Sequence, residues 1–235
     1  MTKRYFVPDL EETAGSVALP PTEAQHAIRV MRVKIGDDVE LFNGLGLQAA
    51  ARIIEIGRNR CVCDTDHATF VDREPKSLVN MAIALPKPER AKELVERLTE
   101  LGIKHVTPLV AKRTQRPPSE SNMDKLRKVV IEACKQSGRN HLMEFGPVST
   151  AKDYFQSDRV GEKFIAHPDP DALSIRSHFS SDDHPAIHVA IGPEGGWSES
   201  EYQGAITHGF LSINVGIILY LFETAAVALA SILVS

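Results

Sequence analysis

Apolar positions along this chain follow two rhythms. Through residue 74 they come in short runs: Val17-Ala18-Leu19, Val39-Glu40-Leu41-Phe42, Ala51-Arg52-Ile53-Ile54-Glu55-Ile56 and Cys61-Val62-Cys63, parted by Gly, Asn and Asp. That length and spacing predicts the strands of a small β-barrel. One helix interrupts the series, with Thr22 as the expected N-cap and Ala24, Ala27, Ile28 and Met31 at helical period. Asp72-Arg73-Glu74-Pro75-Lys76 is charged and marked by proline, and reads as a linker.

From residue 78 the runs lengthen. Leu78 to Leu85 is apolar but for one Asn, as in a strand covered on both faces. Pro88 suits a first helical position; Ala91, Leu94, Val95, Leu98 and Leu101 form one stripe, and Gly102 stops it. Ile103 to Val110 reads as a strand. Ser121 or Asn122 opens a helix that buries Leu126, Val129, Val130 and Ala133 and ends at Gly138. Lys163 to Ala166, Ala186 to Ile191 and Phe210 to Val215 read as further strands. Ser198-Glu199-Ser200-Glu201 is a capping box for a helix toward His208, and an Ala-rich helix starts at Glu223. Strands alternating with helices predict an α/β domain on a parallel sheet. The expected division is therefore 1–74 and 75–235.

Composition narrows the class. The 235 residues suit one large domain or two small ones. With 43% apolar and 25% charged residues, a disordered, collagen-like or coiled-coil chain is excluded. Three Cys are too few for a disulfide framework and fit a reducing, cytoplasmic setting. No apolar stretch follows Lys3-Arg4, so no signal peptide is expected. Residues 209–235 hold one charge, Glu223, and are long enough to span a bilayer. Gly209, Asn214 and Gly216 interrupt them and no basic residues flank them, so a buried strand, a turn and a core or interface helix are expected rather than an anchor.

The net charge of −4 conceals an uneven distribution. Residues 1–75 carry 9 Lys/Arg against 12 Asp/Glu, residues 76–139 carry 14 against 7, and residues 140–235 carry 4 against 12. The basic middle is either a footprint for a polyanion or a solvated helix face. No Lys or Arg follows Arg176.

Candidate chemistry lies in few places. Gly44-Leu45-Gly46-Leu47-Gln48-Ala49 has dinucleotide-fingerprint spacing but no helix after it, so a hairpin turn is expected. Cys61-Val62-Cys63 lacks a second pair, and His178, Asp182, Asp183 and His184 lie in a polar loop; no metal is expected. Ile191-Gly192-Pro193-Glu194-Gly195-Gly196-Trp197-Ser198 is the strongest signal, between a strand and a capped helix. Its glycines let backbone approach a ligand, at the strand end where open α/β sheets bind one; the alternative is a tight βα turn. Glu194 opposes a phosphate and favours hydroxyls, an adenine edge or a positive centre. S-adenosylmethionine has all three. Lys112, Arg113 and Arg116, then Lys125, Arg127, Lys128, Lys135 and Arg139, with Arg29 and Arg32 in the first domain, suit an RNA backbone or serve solubility.

Four blocks together resemble the bacterial 16S ribosomal RNA uridine-N3 methyltransferases of the SPOUT class. They are Arg4-Tyr5-Phe6 with His26 to Asp37; Thr99-Glu100-Leu101-Gly102-Ile103 with Pro108 and Arg113; Ile131 to Arg139; and Ile191 to Gly196 with Gly216 and Glu223-Thr224-Ala225. The resemblance implies a PUA-like RNA-binding barrel over 1–74 and a SPOUT domain over 75–235 whose chain is tied in a trefoil knot, an exception to the rule against threading. It implies S-adenosylmethionine held by Ala166, His167, Ile191, Gly192, Pro193, Glu194, Gly195, Gly196, Val215, Gly216, Ile218, Leu219, Tyr220 and Thr224. It further implies a homodimer acting on ribosomal RNA or the small ribosomal subunit, with RNA contacts from Arg29, Arg32, Lys112, Arg113, Arg116 and Arg139.

One departure bears on activity. Where the family reads Leu-Gly-x-Arg-Ile-Leu-Arg-x-Glu-Thr-Ala, this chain has Ile218 and Leu221 in place of both arginines. Uracil N3 carries a proton and attacks only once that proton leaves, so a site must stabilise the negative charge that develops and hold the reactants in contact. Glu194 is the candidate for proton handling, or else for a ribose contact; Arg113 or Arg139 is the candidate substitute cation. The two readings are an active enzyme and a relative that binds RNA and cofactor without efficient transfer.

Overall fold

The computed structural model describes residues 2–168, 172–175, 186–214 and 222–234. The chain forms two compact units, Met1–Glu74 with Ile131–Leu142, and Pro75–Val130 with Met143–Ser235.

In the first unit, β1 (Lys3–Phe6), β2 (Gly15–Ala18), β3 (Asp38–Phe42), β4 (Leu47–Ile56), β5 (Cys61–Thr65) and β6 (Thr69–Phe70) make one sheet. Its order is β1-β3-β4-β5-β2, with β6 on β4. Only the β1–β3 pairing is parallel. Ala49, Ala51 and Ile53 alternate inward along β4, and a bulge between Ile53 and Glu55 then breaks the alternation, leaving Ile54 and Glu55 both exposed. The Gly44–Gly46 segment is the β3–β4 hairpin turn: Asn43 Oδ1 accepts from the N–H of Leu45 at 2.8 Å and of Leu47 at 3.1 Å.

The helix start differs from expectation. Thr22 is not the cap; α1 (Pro21–Gln25) begins on Pro21 after Pro20, with no side-chain cap. Proline presets φ and has no N–H to satisfy, so none is needed. A π-helical turn, His26–Val30, continues it, and Ala24 and Ala27 enter the core beside Cys61 and Cys63. Burial raises the Cys63 thiol to about 12 and the Cys134 thiol to about 11, which leaves both unreactive.

In the second unit, β7 (Val79–Ile83), β8 (His105–Val110), β9 (Glu144–Phe145), β10 (Ser149–Thr150), β11 (Glu162–Ala166), β12 (Leu173–Ser174), β13 (Ile187–Ile191) and β14 (Leu211–Asn214) pair only in parallel. The order is β10-β8-β7-β13-β11-β14-β12, with β9 also on β8. The helices are α2 (Pro88–Glu100), α3 (Glu120–Ser137, whose residues from Ile131 on belong to the first unit), α4 (Ala151–Gln156), α5 (Glu199–Thr207) and α6 (Phe222–Leu233). Pro88 opens α2, whose Ala91, Leu94, Val95 and Leu98 are buried, and Gly102 ends it with φ +86°. α3 starts at Glu120, one residue before Ser121.

Six elements have no counterpart in the sequence reading: β1, β6, β9, β10, β12 and α4. Four of the strands, β6, β9, β10 and β12, are two residues each, too short for any period to register. α4 is capped by Thr150, which accepts from the Asp153 N–H, and it buries Tyr154 and Phe155. Those rings meet Phe210 and Trp197, with centroids 5.1 Å apart for Phe155–Phe210 and 5.5 Å for Phe155–Trp197.

Because every strand is parallel, all carboxyl ends share one edge. β7 has its successor β8 on one side and the much later β13 on the other. The crevice outside such a reversal of strand order is where open α/β sheets bind ligands. Residues 215–220, which the expected knot and cofactor loop require, lie outside the described residues. Among the described residues no helix is long and apolar enough to cross a membrane.

Candidate functional site

The ends of three strands come level. Ile191 is in register with Ala166 on one side and Ile83 on the other, and the Ala84 N–H donates to the Ile191 carbonyl at 3.1 Å. Beyond Ile191 the chain turns through Gly192–Trp197 into α5. Trp197 fixes that turn. Its indole N–H donates to the Ala166 carbonyl at 3.1 Å, tying the ends of β11 and β13 together. Its ring lies against Gly192 so closely that a Cβ there would sit 2.9 Å from it. Gly196 takes φ +71°, and its N–H donates to the Pro193 carbonyl at 2.7 Å. Ser198 then caps α5 with the expected box: its hydroxyl accepts from the Glu201 N–H, while its own N–H donates to Glu201 Oε2 at 2.9 Å.

At the end of β11, the His167 N–H donates to the Ile213 carbonyl at 3.0 Å, and its ring lies 4.3 Å from that of Tyr202 on α5. His167 Nδ1 is buried with no partner among the described residues. A buried polar atom of this kind calls for a ligand or water.

Charged groups face the loop from other elements. Glu194 Oε1 accepts from Arg90 Nη1 of α2 at 2.6 Å. The same Nη1 lies 3.3 Å from Glu223 Oε1 on α6, near enough for attraction though without hydrogen-bond geometry. Arg113, after β8, donates to the Gly195 carbonyl at 2.6 Å. Glu201 accepts from the Lys112 N–H at 2.7 Å. Burial raises the Glu201 carboxyl, but the Ser198 and Lys112 N–H groups and the Ser198 hydroxyl outweigh it, and the net shift is downward. A small cleft runs between Ala84–Lys87, Arg113–Arg116 and Pro193–Gly195.

The structure thus gathers Ala166, His167 and Ile191 to Gly196 at one edge. Thr224 is exposed in the first turn of α6. Val215, Gly216, Ile218, Leu219, Tyr220 and Leu221 lie outside the described residues, as do His178, Asp182, Asp183 and His184. Among the described residues no three His, Cys, Asp or Glu side chains gather as metal ligands would. Lys112, Arg113 and Arg116 follow β8 with exposed side chains. In the first unit, Arg29 is exposed beside Asn59, and exposed Arg32 holds the left-handed φ of +47°.

Arg139 requires a correction. It is 5% exposed, and its guanidinium grips Glu74, Nε to Oε1 at 2.8 Å, within the first unit. A buried, paired guanidinium is not free for phosphate or base. Lys135 is likewise interior, ion-paired with Glu23 at 3.1 Å and Glu132 at 2.9 Å. Arg4 joins this buried set, donating to Glu40, to the Asn140 side chain and to the Cys134 carbonyl, with its guanidinium 4.5 Å from the centre of the Phe42 ring. Two of the basic residues of 76–139 therefore serve the fold.

Sequence reading overlooked Arg90, Trp197 and Tyr202 as site residues. Trp197 had a signal, as the single Trp of the chain standing directly after the paired glycines. Arg90 had none, since only tertiary packing brings α2 to a loop 104 positions later.

A family model described as an RNA methyltransferase domain matches residues 73–234, and one described as an RNA methyltransferase PUA domain matches residues 19–66. The ribosomal RNA small subunit methyltransferase E of Synechocystis is 29% identical, over 99% of this chain and 77% of that protein. Its counterpart in Rickettsia conorii is 28% identical over 84% of this chain and 80% of that protein. A methyltransferase of Legionella pneumophila, solved in complex with the bound cofactor SAM, superposes with a TM-score of 0.92 at 28% identity, covering 99% of this chain and 97% of that one. The small subunit methyltransferase E of Neisseria gonorrhoeae, bound to S-adenosyl methionine, shares the fold with a TM-score of 0.90 at 24% identity, over 98% and 96% of the two chains.

Proposed function

The chain belongs to the RNA methyltransferase family, and from that premise we propose that it methylates N3 of a uridine in small-subunit (16S) ribosomal RNA with S-adenosylmethionine as donor. One observation carries the reading: a turn from Gly192 to Trp197, pinned by its indole to the end of β11, at the carboxyl edge where the strand order reverses. The residues present fit the cofactor. Backbone N–H and carbonyl groups of Gly192–Gly196 suit an adenine edge, His167 Nδ1 offers a buried polar atom in need of a partner, and Glu194 suits ribose hydroxyls or a cation. When bound, S-adenosylmethionine supplies an electrophilic methyl group on a sulfonium.

The protein's own residues then have two tasks. Arg90 orients the Glu194 carboxylate through Oε1, leaving Oε2 for a ribose hydroxyl or for the proton of uracil N3. Arg113, anchored on the Gly195 carbonyl and exposed along the cleft, is suited to the charge that develops on the uracil carbonyls. The first unit supplies the RNA-binding barrel with Arg29 and Arg32, the second the methyltransferase domain, and the apolar α6 the contact of a homodimer working in the cytoplasm.

The test is incubation of the pure protein with labelled S-adenosylmethionine and unmodified small-subunit RNA. Labelled N3-methyluridine is the expected product. A second reading, an impaired relative, is favoured by Ile218 and Leu221 standing where the family has arginine. Calorimetric uptake of cofactor without labelled RNA selects it; Ile218→Arg with Leu221→Arg then restores turnover. No uptake of cofactor at all rejects both readings.

A further inference from the structure

Beside the cleft lies a larger groove with no assigned part. It is about 360 Å³, within the range of small-ligand sites, and runs between the loop after β7, the start of α2, the loop after β8 and the first turns of α3. Leu85, Pro86, Pro88, Pro117, Pro118 and Leu126 give it apolar walls, and the four prolines make those walls stiff. Lys92, Arg116 and Lys125 stand along it with exposed side chains, and none of the three has an ion-pair partner among the described residues. Among the described residues no Asp or Glu lines it. Gln115 and Asn122 add amide donors and acceptors. The groove and the cleft share Leu85, Pro86, Gln115 and Arg116, so the groove opens toward Pro193–Gly195.

We infer that this groove holds the nucleotide next to the methylated one, in single-stranded RNA, with its base against the proline and leucine walls and its flanking phosphates on Lys92, Arg116 and Lys125. The charge argues for the occupant: among the described residues, three cations without ion-pair partners around an apolar floor without one carboxylate match a base flanked by phosphates. A stacked base inside a duplex presents only an edge, whereas an unstacked one can present a face to such a wall. The amides of Gln115 and Asn122 are placed to read its edge. The inference rests on the RNA methylation reading above and adds to it a subsite for sequence context.

The test compares the full-length protein with the triple variant Lys92→Gln, Arg116→Gln, Lys125→Gln. A second triple variant, Lys76→Gln, Lys104→Gln, Lys152→Gln, makes the same charge change on exposed lysines of the same unit outside the groove. Affinity for unmodified small-subunit RNA is measured against salt, and cofactor affinity by calorimetry. The groove variant is expected to bind RNA about tenfold or more weakly, with a salt slope shallower by about 2, as three lost single-strand phosphate contacts predict. Its cofactor affinity stays that of the parent, and the outside variant changes RNA binding far less. Parental RNA affinity and salt slope in the groove variant overturn the inference and leave methylation standing. Equal losses in the two variants overturn it as well, because general charge then suffices. Absence of RNA binding by the parent removes the methylation reading, and the occupant with it.

Discussion

Arg113 and Arg139 carry the same charge, yet they do opposite things. Arg139 is buried against Glu74 within the first unit. Arg139→Ala leaves that carboxylate uncompensated and is expected to lower stability by about 3–5 kcal/mol, read as a shift of the urea midpoint. An exposed phosphate contact would instead leave the midpoint unchanged. Arg113 is exposed, so Arg113→Ala should melt like the parent while kcat falls on the order of 10²–10³-fold, the usual loss for one electrostatic donor. Gly192 is the third residue of this kind. Gly192→Ala places a methyl 2.9 Å from the Trp197 ring, and displacing that ring should weaken cofactor uptake at least tenfold and alter tryptophan fluorescence. The glycine pattern was legible in the sequence. Its reason, an indole packed on the Cα, was not.

Among elements, legibility followed length and local chemistry. The α5 capping box was readable because Ser198 and Glu201 are three residues apart and need nothing else to meet. Ser198→Ala is expected to cost about 1 kcal/mol in thermal or urea unfolding. β7 and β13 were readable because burial on both faces leaves a run that is apolar but for one residue each, Asn80 and His188. α1 was misread at its start because two prolines did the work of a cap. β1, β6, β9, β10, β12 and α4 were invisible, being held by partners distant in sequence: β1 by β3, β6 by β4, β9 and β10 by β8, β12 by β14, α4 by Phe210 and Trp197.

Across the whole molecule, burial lowers the pKa of His105 and of His188 below 6.5. Protonation is therefore harder in the folded state than in the unfolded chain. The unfolded state binds more protons as pH drops below 6.5, so stability is full above that value and declines through the window down to the folded pKa. The expected result is a lower urea midpoint at pH 5.5 than at pH 7.5. His105→Gln with His188→Gln should flatten that difference, and a difference of undiminished size would assign it to other groups. The basic middle of the chain also changes meaning at this scale, since Lys135 and Arg139 are interior while Lys92, Arg116 and Lys125 line one groove.

Whatever rests on neighbours within a few positions was settled by the order of residues alone: the alternation of strands and helices, the glycine turn and its capped helix; that Ile131–Leu142 falls with the first unit and not with 75–130 left no local sign. Such features follow from φ preferences, hydrophobic period and caps, all local. Packing decided the rest. Which cation is buried and which is offered to a ligand, why Arg90 meets Glu194 and how the prolines of two loops enclose one groove depend on parallel strands bringing remote segments to a common edge. The energy of those contacts is long-range in the chain and leaves no period in it.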